Sequence, residues 1–203
     1  EAAGAGAGAE DLASWFAAIT GWEPAACARA ALAAAELVEP VWAAAGGGPA
    51  VGRALGALRA WADCPCRTHA DAVVAARLDL RAAGIGGAHP RLAAHAGRAA
   101  HCADLAAQLA EPGVAGAGLA APTHEALSRA AQVPPAVIDA ALAWRACPCE
   151  AHRREVVAAC PAPGGDTLGD YLLRLRGAGS ARVRAAVRQA VVPWALGLEP
   201  VPA

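Results

Sequence analysis

Apolar residues, most of them alanine, fill long stretches between prolines and glycines, and arginines and acids recur within these stretches at the spacing of solvated helix faces. Alanine is the best helix former and loses no side-chain entropy on folding. The runs of β-branched or aromatic residues that strands require are nearly absent. The pattern predicts an all-α fold, a helical bundle. Its punctuation predicts helices at 10–20, 24–45 (bent at Pro40), 49–62, 65–83 and 90–110, then at 123–132, 134–146, 148–159, 167–176 and 180–196. Pro24, Pro49, Pro65, Pro90, Pro134 and Pro148 fall near first helical positions, where a missing N–H does no harm. Gly46, Gly84, Gly177 and Gly197 read as stops, and Asp166 and Ser180 as N-caps. Residues 1–9 form a Gly/Ala tail that is expected to be disordered. A Gly-rich connector at 111–122 divides a first helical half, 10–110, from a second, 123–203.

The two halves share a motif. A shift of 83 positions lays Trp61-Ala-Asp-Cys64-Pro65-Cys66-Arg-Thr-His69 on Trp144-Arg-Ala-Cys147-Pro148-Cys149-Glu-Ala-His152, and Val73-Val74-Ala75-Ala76 on Val156-Val157-Ala158-Ala159. The nine identities include Trp, Cys and His, residues that rarely coincide by chance. We read them as an internal duplication of a helical hairpin. Each hairpin has a helix ending near Trp, a Cys-Pro-Cys turn and a second helix.

Composition narrows the function classes. The chain has 17 basic and 18 acidic residues, every basic one is arginine, and none of this suggests a nucleic-acid surface. The longest uncharged runs, Pro40–Gly52 and Pro112–Thr123, are too short and broken to span a bilayer. The opening residues lack the basic start and apolar run of a secretory leader, so a cytoplasmic protein is expected. Seven cysteines is an odd count for a disulfide scaffold, and four of them sit in the two motifs, which points to metal or redox use. Gly46-Gly47-Gly48 lacks the Lys-Ser/Thr of a phosphate loop and reads as a helix stop.

With proline expected at the first position of the second helix, the first Cys of each motif lies close to the N-cap. Cys66 and His69, and Cys149 and His152, then share a helix face. A thiol at a helix N-terminus is pushed toward thiolate. Three readings stay open. In the first, a nucleophilic thiolate, a resolving Cys and a proton-shuttling His perform thiol redox chemistry without a cofactor. In the second, Cys64, Cys66 and His69, and Cys147, Cys149 and His152, ligate Zn or Cu, with His95, His101, Cys102 or Cys160 as further ligands. In the third, the motifs only clip helices together in an interaction or immunity-type module. A Cys64–Cys66 disulfide would span one residue and be strained, hence easily reduced.

Around Leu55–Ala83, and again around Val137–Cys160, the chain resembles the carboxymuconolactone decarboxylase and alkylhydroperoxidase D family of all-α proteins. That family carries Cys-x-x-Cys-x-x-x-His at a helix start behind an apolar helix. The stretches Val41–Leu58 and Tyr171–Leu196 have a similar rhythm. Each gap in this chain is one residue shorter, and no carboxylate stands near Gly52 or Pro135 for the family's upstream Glu. The resemblance implies an alkylhydroperoxidase-like redox protein. Cys66 and Cys149 would be its attacking thiols, Cys64 and Cys147 its resolving ones, and His69 and His152 its proton relays.

Outside the motifs, Cys27, Trp15, Trp22, Trp42 and Trp194 read as core, and His89 and His124 as surface or capping positions. Helices this poor in bulky side chains point to a homo-oligomer, with the substrate or partner undefined.

Overall fold

The computed structural model describes residues 15–17, 24–85, 88–111, 117–161 and 168–197. Every regular element among them is a helix. Eight follow one another: α1 (Pro24–Ala44), α2 (Ala50–Asp63), α3 (Arg67–Ala82), α4 (Pro90–Gln108), α5 (Ala117–Ala131), α6 (Pro135–Ala146), α7 (Glu150–Ala159) and α8 (Leu168–Ala195). Residues 15–17 are also helical. No helix among the described residues is long and apolar enough to cross a membrane.

α1, α4, α5 and α8 form a bundle in which α1 packs on α4, α4 on α5, α5 on α8, and α8 back on α1. Two hairpins, α2–α3 and α6–α7, carry the two motifs at their tips. α1 is alanine-rich on most of its circumference, so neighbours approach it from several sides, as expected of a helix that is apolar all round. Both α2 and α6 lean on it. The buried residues form one cluster that draws on both halves, with Leu58, Val73, Val137, Ile138 and Val156 entering from the hairpins. α1 also anchors each hairpin by ion pairs, among them Glu36 with Arg59 of α2. Arg29 reaches Asp63 at 3.1 Å, just before Cys64, and Glu39 meets Arg145 at 2.7 Å.

Gly46 at φ 81° closes α1, as its sequence position suggested, with Gly46 N–H donating to the Ala43 carbonyl and Gly47 N–H to that of Trp42. The Trp42 indole then donates to the Gly48 carbonyl at 2.7 Å. Gly197 at φ 66° follows α8 in the same manner.

Several local expectations need correction. Pro65 and Pro148 precede the N-caps instead of opening their helices, because α3 begins at Arg67 and α7 at Glu150. Gly177 does not stop a helix and Ser180 does not cap one, since α8 runs unbroken through both. Its packing against α1 and α5 outweighs the local glycine cost. Helix α5 starts at Ala117, inside the expected connector, and passes through Pro122. The 1–9 tail, Trp22 and Asp166 lie outside the described residues.

Candidate functional site

The backbone of each motif follows from its sequence. A residue before proline is pushed out of the α region, and Cys64 (φ −140°, ψ 90°) and Cys147 (φ −142°, ψ 88°) accordingly end α2 and α6. Their N–H groups still donate back to Ala60 and Ala143. The chain then turns about the proline, with Cys66 N–H donating to the Cys64 carbonyl at 2.7 Å and Cys149 N–H to that of Cys147 at 2.8 Å. Cys66 and Cys149 are therefore the N-caps themselves, two residues later than expected for the caps. The Cys/His pairs become N-cap and N3, the positions that a capping box links. The two copies match at every one of these bonds, as a duplicated site requires.

The side chains repeat as closely. His69 Nδ1 lies 2.9 Å from the Cys64 carbonyl and 3.5 Å from the Cys66 sulfur. His152 Nδ1 lies 3.0 Å from the Cys147 carbonyl and 3.2 Å from the Cys149 sulfur. A carbonyl only accepts, so Nδ1 is the nitrogen that carries hydrogen and donates it to the carbonyl, with the thiol close beside it.

The two thiols of each pair are driven apart in acidity. The main-chain N–H of His69 faces the Cys66 sulfur and is the largest influence holding that thiol below its ordinary value of 9.0, although the contact stops short of a full capping hydrogen bond. The N–H of His152 does the same for Cys149. Cys64 and Cys147 move the other way, chiefly because each donates its S–H to the neighbouring sulfur. His152 is raised above 6.5 by the Cys147 carbonyl first and the Cys149 sulfur second. The four motif cysteines are unbridged. Three are exposed and Cys149 is half-buried.

A cleft opens beside each of the acidic thiols. The first encloses about 530 Å³ and is lined by Trp61, Pro65, Cys66, Arg67 and Ala70 from its hairpin. The second encloses about 330 Å³ and is lined by the equivalents 83 positions on: Trp144, Pro148, Cys149, Glu150 and Arg153. Trp61 and Trp144 are half-buried and rest on the core. The far walls come from elsewhere in the chain. Leu109–Glu111 at the end of α4 and Leu119 of α5 close the first cleft, and Ala43, Ala44, Gly46 and Gly47 at the end of α1 close the second. These wall residues were not foreseen, since nothing local marks them. Glu111 is the notable one, a carboxylate brought to the Cys66 cleft and held there by an ion pair with the buried Arg77.

The motif residues also form two groups whose donor atoms lie within 4.8 Å of one another, Cys64, Cys66 and His69, and Cys147, Cys149 and His152. The further candidates His95, His101, Cys102 and Cys160 join neither group. His95 is buried on α4, where burial and then Arg98 push its pKa down to about 4. The Cys102 thiol, buried and pushed up to about 12, contacts the Ala126 carbonyl, and the Cys160 thiol that of Val156. His101 is exposed. His89 caps α4, accepting from Arg91 N–H, and Cys27, Trp15 and Trp42 lie in the core. Trp194 is half-buried under Arg29, whose guanidinium stands 5.1 Å above the ring.

The chain matches no protein-family model, no curated protein and no solved structure.

Proposed function

We propose that the protein is a thiol-based redox protein that cycles Cys64/Cys66 and Cys147/Cys149 between dithiol and disulfide. One observation carries this reading. In both copies it is the second cysteine alone that caps a helix, has the lowered pKa, borders a cleft and receives the S–H of its neighbour. That is the division of labour of an attacking and a resolving thiol. His69 and His152 supply the proton: Nδ1, whose hydrogen is donated to the Cys64 or Cys147 carbonyl, lies 3.5 or 3.2 Å from the attacking sulfur and can protonate a leaving group after the thiolate has been consumed. The resemblance to the alkylhydroperoxidase D family adds an all-α setting for the same chemistry.

A second reading, binding of Zn or Cu(I), is favoured by the donor clustering. The sulfur–nitrogen separations of 3.5 and 3.2 Å are near the roughly 3.6 Å expected between ligands of a tetrahedral zinc. It requires Nδ1 to lose its hydrogen and leave the carbonyl, which places it second.

Site-resolved mass spectrometry after mild oxidation tests the choice, alongside elemental analysis of the freshly purified protein. The redox reading expects loss of two hydrogens within each Cys-Pro-Cys segment, reversed by a thiol, and no stoichiometric metal. Zinc or copper near two per chain, with a chelator lowering the melting temperature, would replace it with the metal reading.

A further inference from the structure

The clefts restrict the kind of molecule that can reach the attacking thiols. Each has a proline ring and an indole in its wall, and its volume is that of a site for a small organic ligand. A peroxide group needs only access to sulfur, and nothing in its reaction calls for a cavity of this size. Trp61 and Trp144 occupy the same repeat position, half-buried with part of the ring left at the surface, and both clefts retain them although their neighbours have diverged (Arg67 against Glu150, Ala70 against Arg153). An aromatic face beside a nucleophilic sulfur suits a flat apolar group attached to the sulfur under attack.

Building on the redox reading, we infer that each cleft binds a low-molecular-mass disulfide carrying an aromatic or bulky apolar group, which rests against Trp61 or Trp144 while Cys66 or Cys149 attacks it. The Cys66 thiolate bonds to one substrate sulfur and the substrate S–S bond breaks. The first half leaves with the electron pair and takes the His69 proton. Cys64 then gives its proton to the imidazole and attacks the Cys66 sulfur. The second half departs and takes that proton. The substrate disulfide becomes two thiols, the Cys64–Cys66 pair becomes a disulfide, and an external low-molecular-mass thiol returns it to the dithiol. Cys147, Cys149 and His152 run the same sequence.

Stopped-flow kinetics of the reduced full chain test this, with each rate divided by that of free N-acetylcysteine. The probes are 2,2′-dithiodipyridine, bis(2-hydroxyethyl) disulfide, hydrogen peroxide and oxidised insulin. The Cys147→Ser/Cys149→Ser background isolates the first site, and Cys64→Ser/Cys66→Ser the second. The aromatic disulfide should show the largest normalised rate. Trp61→Ala or Trp144→Ala should lower it about 10-fold while changing the hydroxyethyl disulfide rate less than about twofold. Trp61→Phe and Trp144→Phe should retain most of it, which separates loss of the aromatic face from misfolding. Disulfide closure that ignores the tryptophans, a larger normalised rate with peroxide, or one with insulin would each overturn the inference and leave the redox reading standing. If no probe closes either Cys pair, the redox reading itself fails.

Discussion

The Cys149 sulfur lies 3.2 Å from Nδ1 of His152, yet the stronger influence on that thiol is the main-chain N–H of the same histidine. One residue thus acts on the sulfur through its ring and through its backbone. The two contributions separate experimentally. Iodoacetamide alkylation followed site by site across pH should give half-points below 9.0 for Cys66 and Cys149 and above 9.0 for Cys64 and Cys147. His152→Ala removes the ring and keeps the N–H, so the Cys149 half-point should move only part of the way back. A complete return to 9.0 would overturn the main-chain assignment.

Two glycines near the middle of α8 predict opposite outcomes. A Cβ on Gly179 would stand 2.0 Å from the Ala131 carbonyl oxygen, at the close approach of α8 to the end of α5. Gly179→Ala must push the helices apart and should cost about 1–3 kcal/mol or more. Gly177, two residues earlier, has nothing within 4 Å of such a Cβ. Gly177→Ala should therefore stabilise the protein by about 0.5–1 kcal/mol through helix propensity alone. Thermal melts of the pair decide it, and equal effects would count against this packing.

The same two glycines show where the sequence was legible. Alanine content and Pro/Gly punctuation were enough for the helical class and for most helix positions, because those signals are local. Gly177 looks like a stop, and only the bundle packing of α8 makes it helical. The motif residues were legible because duplication preserved Trp, Cys, Pro and His at one offset. Their register was misjudged by two residues: Pro65 and Pro148 satisfy the rule for a first helical position, but the turn they make leaves the cap to the next cysteine. Glu111, and Ala43, Ala44, Gly46 and Gly47 at the end of α1, were invisible as cleft walls, since tertiary packing alone brings them to the thiols.

His95 makes a prediction in mild acid. It is 7% exposed, Arg98 lies 3.0 Å from its Nδ1, and its pKa is pushed down to about 4 from 6.5. An arginine donates, so Nδ1 accepts and the ring is neutral. Between pH 6.5 and about 4 the unfolded chain binds a proton here that the folded chain refuses, so stability falls as pH falls through that window. The loss amounts to at most about 3 kcal/mol. Urea titrations of the wild type and His95→Gln at pH 7 and pH 4.5 should show a smaller loss in the variant. An equal loss would show that other groups carry the acid sensitivity.

Asp104 loses its contribution in the same direction, as pH falls, but at lower pH. Burial alone would raise its pKa, but hydrogen bonds from Arg77 and Arg81 outweigh that and lower it below 3.8. Its contribution is therefore complete above 3.8 and is lost only as pH falls through the lower folded value. Arg77 is buried, with Asp104 at 2.8 Å and Glu111 as its other partner, and the cluster fastens α3 to the end of α4. Asp104→Asn leaves the Arg77 charge half-paired in the interior and should cost about 3 kcal/mol, seen as a lower melting temperature at pH 7. Arg77→Met with Asp104→Leu removes both charges and should recover much of that loss. A double variant no more stable than the single would mean the ion pair holds the helices by more than charge. Loosening this clamp should leave the Cys66 alkylation half-point in place. The hydrogen bonds that set it come from residues 64–69, so a large shift would show that the thiol depends on tertiary packing and not on its own turn.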